Sequence, residues 1–258
     1  MINDKKEEII HTPDSEYNNI ELPRDTHKLR QLFDLMPKPQ IRQALCDEQH
    51  GLCAYCMRKI VPIKQSENDE EAKIEHYIPL SMDKKSVLEY SNFLGVCHGG
   101  VHDETVDTER LVLCCDGSRQ NKELTIDPRN KEQMEAIAYR RDGYMFVKTN
   151  IGRDIELVKS MQRDINEVLH LNGELSKDGE LGIDTTSRLI ACRKRICDSV
   201  NSQLRRWDKK GLLTSEYVKE KLDELCKQLE PHTIADPFIG TRIYFMEKKY
   251  YSLVRQGK

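Results

Sequence analysis

Three series of apolar residues recur every three or four positions in the second half of the chain, which is the spacing of one face of an α-helix. The series are Leu157, Met161, Ile165 and Val168; Ile196, Val200, Leu204 and Trp207; and Val218, Leu222, Leu225 and Leu229. The segment 28–49 predicts two further helices, separated at Pro37 and Pro39 because proline cannot continue a helix. The chain is therefore expected to be mainly helical.

Short strand patterns interrupt this helical background. The runs 72–76 and 93–96 read as strands, and so does Leu111-Val112-Leu113. The segments 136–140 and 144–149 flank Asp142-Gly143, a dipeptide that favours a tight hairpin turn. The predicted fold class is α+β, with a small strand-containing module embedded in a mainly helical protein.

The length and the pattern together predict three regions. Residues 1–44 form an N-terminal helical segment, residues 45–130 form the module, and residues 131–258 form a mainly helical C-terminal region. The segment 238–253 is rich in aromatic residues and serves either as core or as a docking surface for a partner.

The charge balance limits how the chain could bind nucleic acid. It carries 41 lysine and arginine residues against 44 aspartate and glutamate residues, a formal net charge of -3. Proteins that bind DNA alone usually show a basic surplus or a basic face. The balance favours weak binding alone or a groove completed by a partner. The basic residues between 188 and 210 are either a solvated helix face or a local basic patch.

The cysteines are expected to be reduced. The N-terminus shows no secretory signal, and no run approaches the roughly 20 apolar residues of a membrane span, so a cytoplasmic location is expected. Disulfides are rare in that compartment, and closely spaced cysteines there read as metal ligands.

Four of the 9 cysteines predict a structural zinc site. Cys53 and Cys56 form a Cys-x-x-Cys knuckle, and Cys97 with Cys115 would complete a tetrahedral set. Cys115 is preferred to its neighbour Cys114 because Asp116 and a helix-like stretch follow it directly. His98 or His102 could compete as a ligand, for zinc or for a catalytic metal. The remaining cysteines, at 46, 192, 197 and 226, fit the helical core.

A second set of residues predicts hydrolysis of a phosphodiester. His76 has the pKa range of a general base, and Glu75 beside it would point to the opposite side of the strand. Asp116 could join Glu75 on a divalent ion, since hard cations prefer oxygen ligands. Asn92 could hydrogen-bond a carbonyl and order the loop between the strands, and Arg119 and Lys122 could grip the scissile phosphate.

These residues resemble the HNH endonucleases, whose ββα-metal fold is a hairpin packed on a helix around one catalytic metal. The resemblance implies that Glu75 and Asp116 hold Mg²⁺ or Mn²⁺, that His76 is the general base, that Asn92 is the central asparagine, and that the cysteines hold zinc. Asp116 departs from the commoner His or Asn, and a long insert separates Cys97 from Cys115.

A narrower resemblance covers residues 45–130. The segments Gln49–Cys56, Ile74–Pro79, Tyr90–Cys97 and Cys115–Arg119 are similar to PtuB, the HNH nuclease subunit of Septu anti-phage systems, some of which travel with retrons. That resemblance implies a PtuA-like ATPase partner, a DNA substrate and antiviral defence. The competing hypothesis is a non-enzymatic zinc adaptor that recruits an ATPase or nuclease, which would need the cysteines but not His76.

Overall fold

The computed structural model describes residues 25–100, 112–149, 154–174, 183–185 and 187–257. Its helices are α1 Thr26–Leu35, α2 Lys38–Glu48, α3 Cys115–Arg119, α4 Lys131–Ala136, α5 Ile155–Arg163, α6 Leu189–Lys209, α7 Ser215–Cys226 and α8 Ile239–Gln256. Its strands are β1 Lys73–His76, β2 Phe93–Val96, β3 Ile137–Tyr139 and β4 Met145–Val147. A π-helical turn, Asp164–Val168, extends α5, and the short 3₁₀ turns are Lys85–Leu88, Tyr90–Asn92 and Lys227–Leu229. The α+β class predicted from the pattern is confirmed.

The predicted break between the first two helices is confirmed. Helix α1 ends at Leu35, Met36 is extended, and α2 begins at Lys38 directly after Pro37. Helix α2 packs its buried residues against both strands of the first hairpin, whereas α1 lies mainly against the turn Lys85–Leu88. The two helices therefore cover one side of the hairpin.

The first hairpin positions the candidate site. Strands β1 and β2 are antiparallel, with Glu75 opposite Leu94 and His76 opposite Phe93. Gly95 in β2 is clamped by Gln49, whose side chain donates to the Gly95 carbonyl and accepts from its N–H, both at 2.7 Å. A Cβ at Gly95 would meet this amide at 3.3 Å, so the close approach favours glycine.

The second hairpin forms where the Asp-Gly dipeptide predicts it. Strands β3 and β4 pair antiparallel, and Gly143 in the turn has φ 95°. A Cβ there would lie 2.2 Å from the carbonyl oxygen of Ile190, so both the backbone angle and the space require glycine.

The predicted C-terminal helices form and share a core with the module. Helix α8 packs on α7 and α6, and a single cluster of buried apolar residues extends from Cys46 to Leu253. Packing thus crosses the predicted boundary at residue 130. Within the aromatic segment, Phe245 and Leu253 are buried while Tyr251 is 55% exposed. The segment contributes to the core without being wholly enclosed.

In its described residues, one run predicted as a strand does not form one. Val112 and Leu113 lie in irregular structure, and Leu111 falls outside the described residues. Within the described ranges no strand pairs with this run, although Val112 itself is buried. Among the helices that the structure describes, none is long and apolar enough to cross a membrane.

Candidate zinc centre and catalytic site

Four thiol groups meet at one point in the core. The Sγ atoms of Cys53, Cys56, Cys97 and Cys115 all lie within 4.8 Å of one another, and all four residues are buried. The Cys56–Cys97 sulfur distance is 3.7 Å and the Cys53–Cys115 distance is 4.0 Å. A zinc tetrahedron with sulfur bonds of about 2.3 Å has edges of about 3.8 Å. The donor set and its spacing therefore fit a structural zinc ion.

Local backbone structure explains how the sulfurs converge. In the knuckle, the Cys53 N–H donates to Arg58 and the Met57 N–H donates back to Cys53, with Met57 at φ 60°. Cys97 follows directly after β2, which pairs with β1. The Cys115 N–H donates to the Leu169 carbonyl at 2.9 Å, which fixes the start of α3.

The neighbouring candidate ligands lie apart from this group. Cys114 is buried and its thiol interacts with those of Cys97 and Cys115, but its sulfur falls outside the group of four. His98 is exposed and is not part of the group, while its backbone N–H donates to Glu70. His102 lies outside the described residues.

Two carboxylates form the second part of the site. Glu75 in β1 and Asp116 in the first turn of α3 interact with each other. Burial, followed by the charge of Asp116, raises the pKa of Glu75 to about 8. Lys73, two residues before Glu75 and on the same face of β1, makes an ion pair with Asp116. Crowded carboxylates of this kind are a suitable environment for a cation.

The donor set also fits a hard divalent ion. Mg²⁺ is commonly held by one or two carboxylates and completes its shell with water and substrate phosphate oxygens. Among the described residues, no third histidine, cysteine or carboxylate joins Glu75 and Asp116 to make a group of three ligands. An ion at this pair would therefore keep positions open for a phosphate.

Arg119 differs from its prediction as a phosphate-binding residue. Its side chain is 0% exposed and contacts Glu75 Oε1 at 2.5 Å. It also donates to the Tyr55 hydroxyl and to the carbonyls of His76, Tyr77 and Lys122. A guanidinium enclosed by these acceptors is not available to DNA in this structure. Its geometry instead holds Glu75 and the end of β1.

His76 lies on the other face of β1. Its Nε2 is 2.9 Å from the carbonyl oxygen of Val87, which can only accept, so Nε2 carries the hydrogen. The ring makes edge contacts with Phe33 at 4.6 Å and Phe93 at 5.1 Å between centroids. Burial lowers the pKa of His76. The imidazole is therefore held in one tautomer, with Nδ1 left as the acceptor of a neutral base.

Asn92 joins the ends of the loop between the strands. Its Oδ1 accepts from the Ile78 N–H at 2.7 Å, and its Nδ2 donates to the carbonyls of Ile78 and Ser86 at 3.0 and 3.1 Å. The side chain is buried, so these hydrogen bonds are shielded from solvent. The same loop carries Val87, and Asn92 thus contributes indirectly to the orientation of His76.

The basic residues that could contact DNA differ in solvent exposure. Lys122 is exposed beside α3, whereas Arg193 within the basic stretch is buried and donates to the carbonyls of Gly143 and Leu171. Sequence reasoning did not identify Lys73 or the Val87 carbonyl. The same-face spacing of Lys73 and Glu75 could have indicated the first, but no sequence signal marks a backbone carbonyl.

Comparison with known proteins finds a partial similarity. No family model matches the sequence. A stretch of 90 residues is 34% identical to the Escherichia coli protein described as "Retron Ec83 putative HNH endonuclease". The match covers 33% of this chain and 33% of that protein. The chain is thus similar, over about a third of its length, to a protein described as a nuclease.

Proposed function

We propose that this protein is a metal-dependent HNH-type endonuclease that hydrolyses phosphodiester bonds in DNA. The observation that carries the proposal is the end of β1. There, Glu75 interacts with Asp116, and the adjacent residue His76 has its ring fixed by a hydrogen bond to the Val87 carbonyl. The partial similarity to a protein described as an HNH endonuclease supports the same chemistry.

The residues divide the work of hydrolysis. His76 accepts a proton from the attacking water at Nδ1, because Nε2 is already committed to Val87. Glu75 and Asp116 would hold Mg²⁺ or Mn²⁺, which supplies charge stabilisation to the phosphate and the leaving oxygen when bound. Asn92 holds the loop that aligns His76. Lys122 is the exposed cation near α3 that can contact the DNA backbone.

Zinc has a separate, structural role in this proposal. The four cysteines join the knuckle, the end of β2 and the start of α3, which are distant in sequence and share little regular structure. Structural zinc contributes to folding directly, because the site does not exist in the unfolded chain. Asp116 follows Cys115 directly, so zinc also fixes the position of one catalytic carboxylate.

We further propose that the protein is the nuclease subunit of an anti-phage complex with a PtuA-like ATPase. The sequence resemblance to PtuB supports this. The description of the Escherichia coli relative also names a retron. The formal net charge of -3 is consistent with a DNA groove completed by a partner. Such a partner would also restrain a nuclease that is harmful to its own cell.

One observation favours the zinc-adaptor alternative. The His76 ring packs edge-on against Phe33 and Phe93, and each candidate catalytic carboxylate already contacts a basic residue. These are also features of a purely structural centre. An adaptor would still protect cells from phage after His76→Ala, whereas the nuclease would not.

Plasmid cleavage tests the proposed function. Wild type, His76→Ala and Asp116→Asn would be assayed with Mg²⁺ or Mn²⁺, each with and without the co-expressed ATPase. We expect nicking or linearisation that requires the divalent ion and is lost in both variants. Zinc-loaded, folded wild type that cuts nothing in any mixture would contradict the nuclease proposal and favour the adaptor.

A further inference from the structure

The two cations that neutralise the carboxylate pair differ sharply in accessibility. Arg119 is 0% exposed and its donors are shared among Glu75, a tyrosine hydroxyl and three carbonyls. Lys73 is 43% exposed, and its ion pair with Asp116 is the side-chain contact that positions its ammonium. Moving Arg119 would leave several buried acceptors without a donor. Moving Lys73 would remove one partner from Asp116.

The backbone of Lys73 is fixed while its side chain is not. Lys73 begins β1 and pairs with Val96 in β2, which anchors its Cα beside the site. Its ammonium sits at the end of a flexible four-carbon stem and makes no directional fork of the kind that arginine makes. The side chain can therefore swing between Asp116 and solvent without disturbing the hairpin.

The charges favour such an exchange. Without a divalent ion, Asp116 is paired with Lys73 and Glu75 with Arg119. A divalent ion at Glu75 and Asp116 would compete with Lys73 for the same carboxylate, because both bind Asp116 through its oxygens. Once displaced, the ammonium would remain within reach of the same small area, where a nucleic-acid phosphate is the natural anion.

We infer that Lys73 is an exchangeable counter-ion: it neutralises Asp116 until a divalent ion replaces it, and then contacts the phosphate backbone of the substrate. The inference rests on the proposed function for the identity of the ion and of the substrate. It assigns Lys73 a positioning role before the ion binds and a substrate-binding role afterwards. Binding of the divalent ion would thereby add a contact between Lys73 and the nucleic acid.

Mn²⁺ binding to the zinc-loaded, full-length protein tests the first half without any nucleic acid. Calorimetric titration would compare wild type with Lys73→Met, Lys73→Arg and Asp116→Asn. We expect Lys73→Met to bind Mn²⁺ about fivefold more tightly, the factor that corresponds to releasing one partly exposed ion pair. Lys73→Arg should remain near wild type, and Asp116→Asn should lose binding.

A matched control separates this effect from a general change in charge. Lys159 is exposed and pairs with Glu156 at 2.8 Å on α5, so Lys159→Met removes a similar pair elsewhere. It should leave Mn²⁺ affinity unchanged. If Lys73→Met binds Mn²⁺ only as tightly as wild type, or more weakly, this inference is overturned while the proposed function is not. Absence of Mn²⁺ binding in all variants would overturn the metal site, and with it both the proposed function and this inference.

DNA binding tests the second half. In a His76→Ala background, which prevents cleavage, the salt dependence of binding to a short duplex would be measured with and without Mn²⁺. With Mn²⁺, Lys73→Met should reduce the slope of log K against log salt by about 0.9, the value of one phosphate contact. Without Mn²⁺, the slopes should agree. An equal reduction in both conditions, or none in either, would overturn the exchange.

Discussion

Replacing Arg119 by methionine should unfold the site rather than weaken DNA binding. The substitution removes a guanidinium that is 0% exposed and that pairs with Glu75 at 2.5 Å. It also leaves the Tyr55 hydroxyl and the carbonyls of His76 and Tyr77 without their donor. Above about pH 8, where Glu75 is ionised, removing one partner of this buried ion pair should cost about 3–5 kcal/mol of unfolding free energy. That is a large share of the about 5–15 kcal/mol that stabilises an ordinary domain.

Urea unfolding of the zinc-loaded protein, monitored by circular dichroism, would measure this loss of unfolding free energy. The matched control is Arg140→Met, because Arg140 contacts Asp142 at the same distance of 2.5 Å but is 53% exposed. The exposed pair should contribute at most about 1 kcal/mol. Glu75→Gln combined with Arg119→Met should cost less than the sum of the single changes, because the two charges depend on each other.

The result that would refute this reasoning is a stable Arg119→Met protein. A loss below about 1 kcal/mol, with DNA affinity reduced, would show that the guanidinium serves the substrate as the sequence first suggested. Arg119→Lys offers a second check. It keeps the charge but cannot reach all the acceptors, so its stability should lie between those of wild type and Arg119→Met.

Three further changes test other parts of the account. Cys97→Ser should abolish zinc binding, measured by mass spectrometry of the metal content, and should prevent cooperative folding, whereas Cys226→Ser at an exposed position should do neither. Because the pKa of Glu75 is raised from 4.5 to about 8, the folded state retains a proton that the unfolded state loses in this window. The unfolding free energy without Mg²⁺ or Mn²⁺ should therefore fall as pH rises between these values, by up to about 5 kcal/mol, and Glu75→Gln should remove the dependence; a slope that persists in Glu75→Gln would assign it to another group. Asn92→Ala should cost about 1–3 kcal/mol in urea unfolding because it leaves the Ile78 N–H and carbonyl unpaired, and an unchanged midpoint would contradict the role given to this side chain.

Local patterns identified much of the fold. The proline break after Leu35, the Asp-Gly turn and the helical series all produced the expected elements, because each depends on short-range backbone or periodicity rules. Val112 and Leu113, the described residues of the run before Cys114, did not form a strand, since a strand also requires a pairing partner that its own sequence does not reveal. Long-range pairing is the part of the fold that local patterns specify least.

The candidate site shows the same limit at the level of side chains. Spacing grouped Cys53, Cys56 and Cys97, and the choice of Cys115 over Cys114 came from the residues that follow it; the structure groups the same four cysteines. In the structure, the hydrogen bond from the Cys115 N–H to the Leu169 carbonyl fixes the backbone at Cys115, whose sulfur lies with those of Cys53, Cys56 and Cys97. The burial of Arg119 could not be predicted, because it depends on acceptors brought together from several segments.

The most direct test of the central claim is the single-turnover cleavage rate of His76→Ala beside wild type, with Mg²⁺ or Mn²⁺ and the ATPase partner present. Both proteins must first show the same zinc content and the same thermal unfolding. We expect a rate at least about 100-fold lower in the variant, the usual contribution of a positioned general base. Equal cleavage rates in two equally folded proteins would contradict the assignment of His76 as the base.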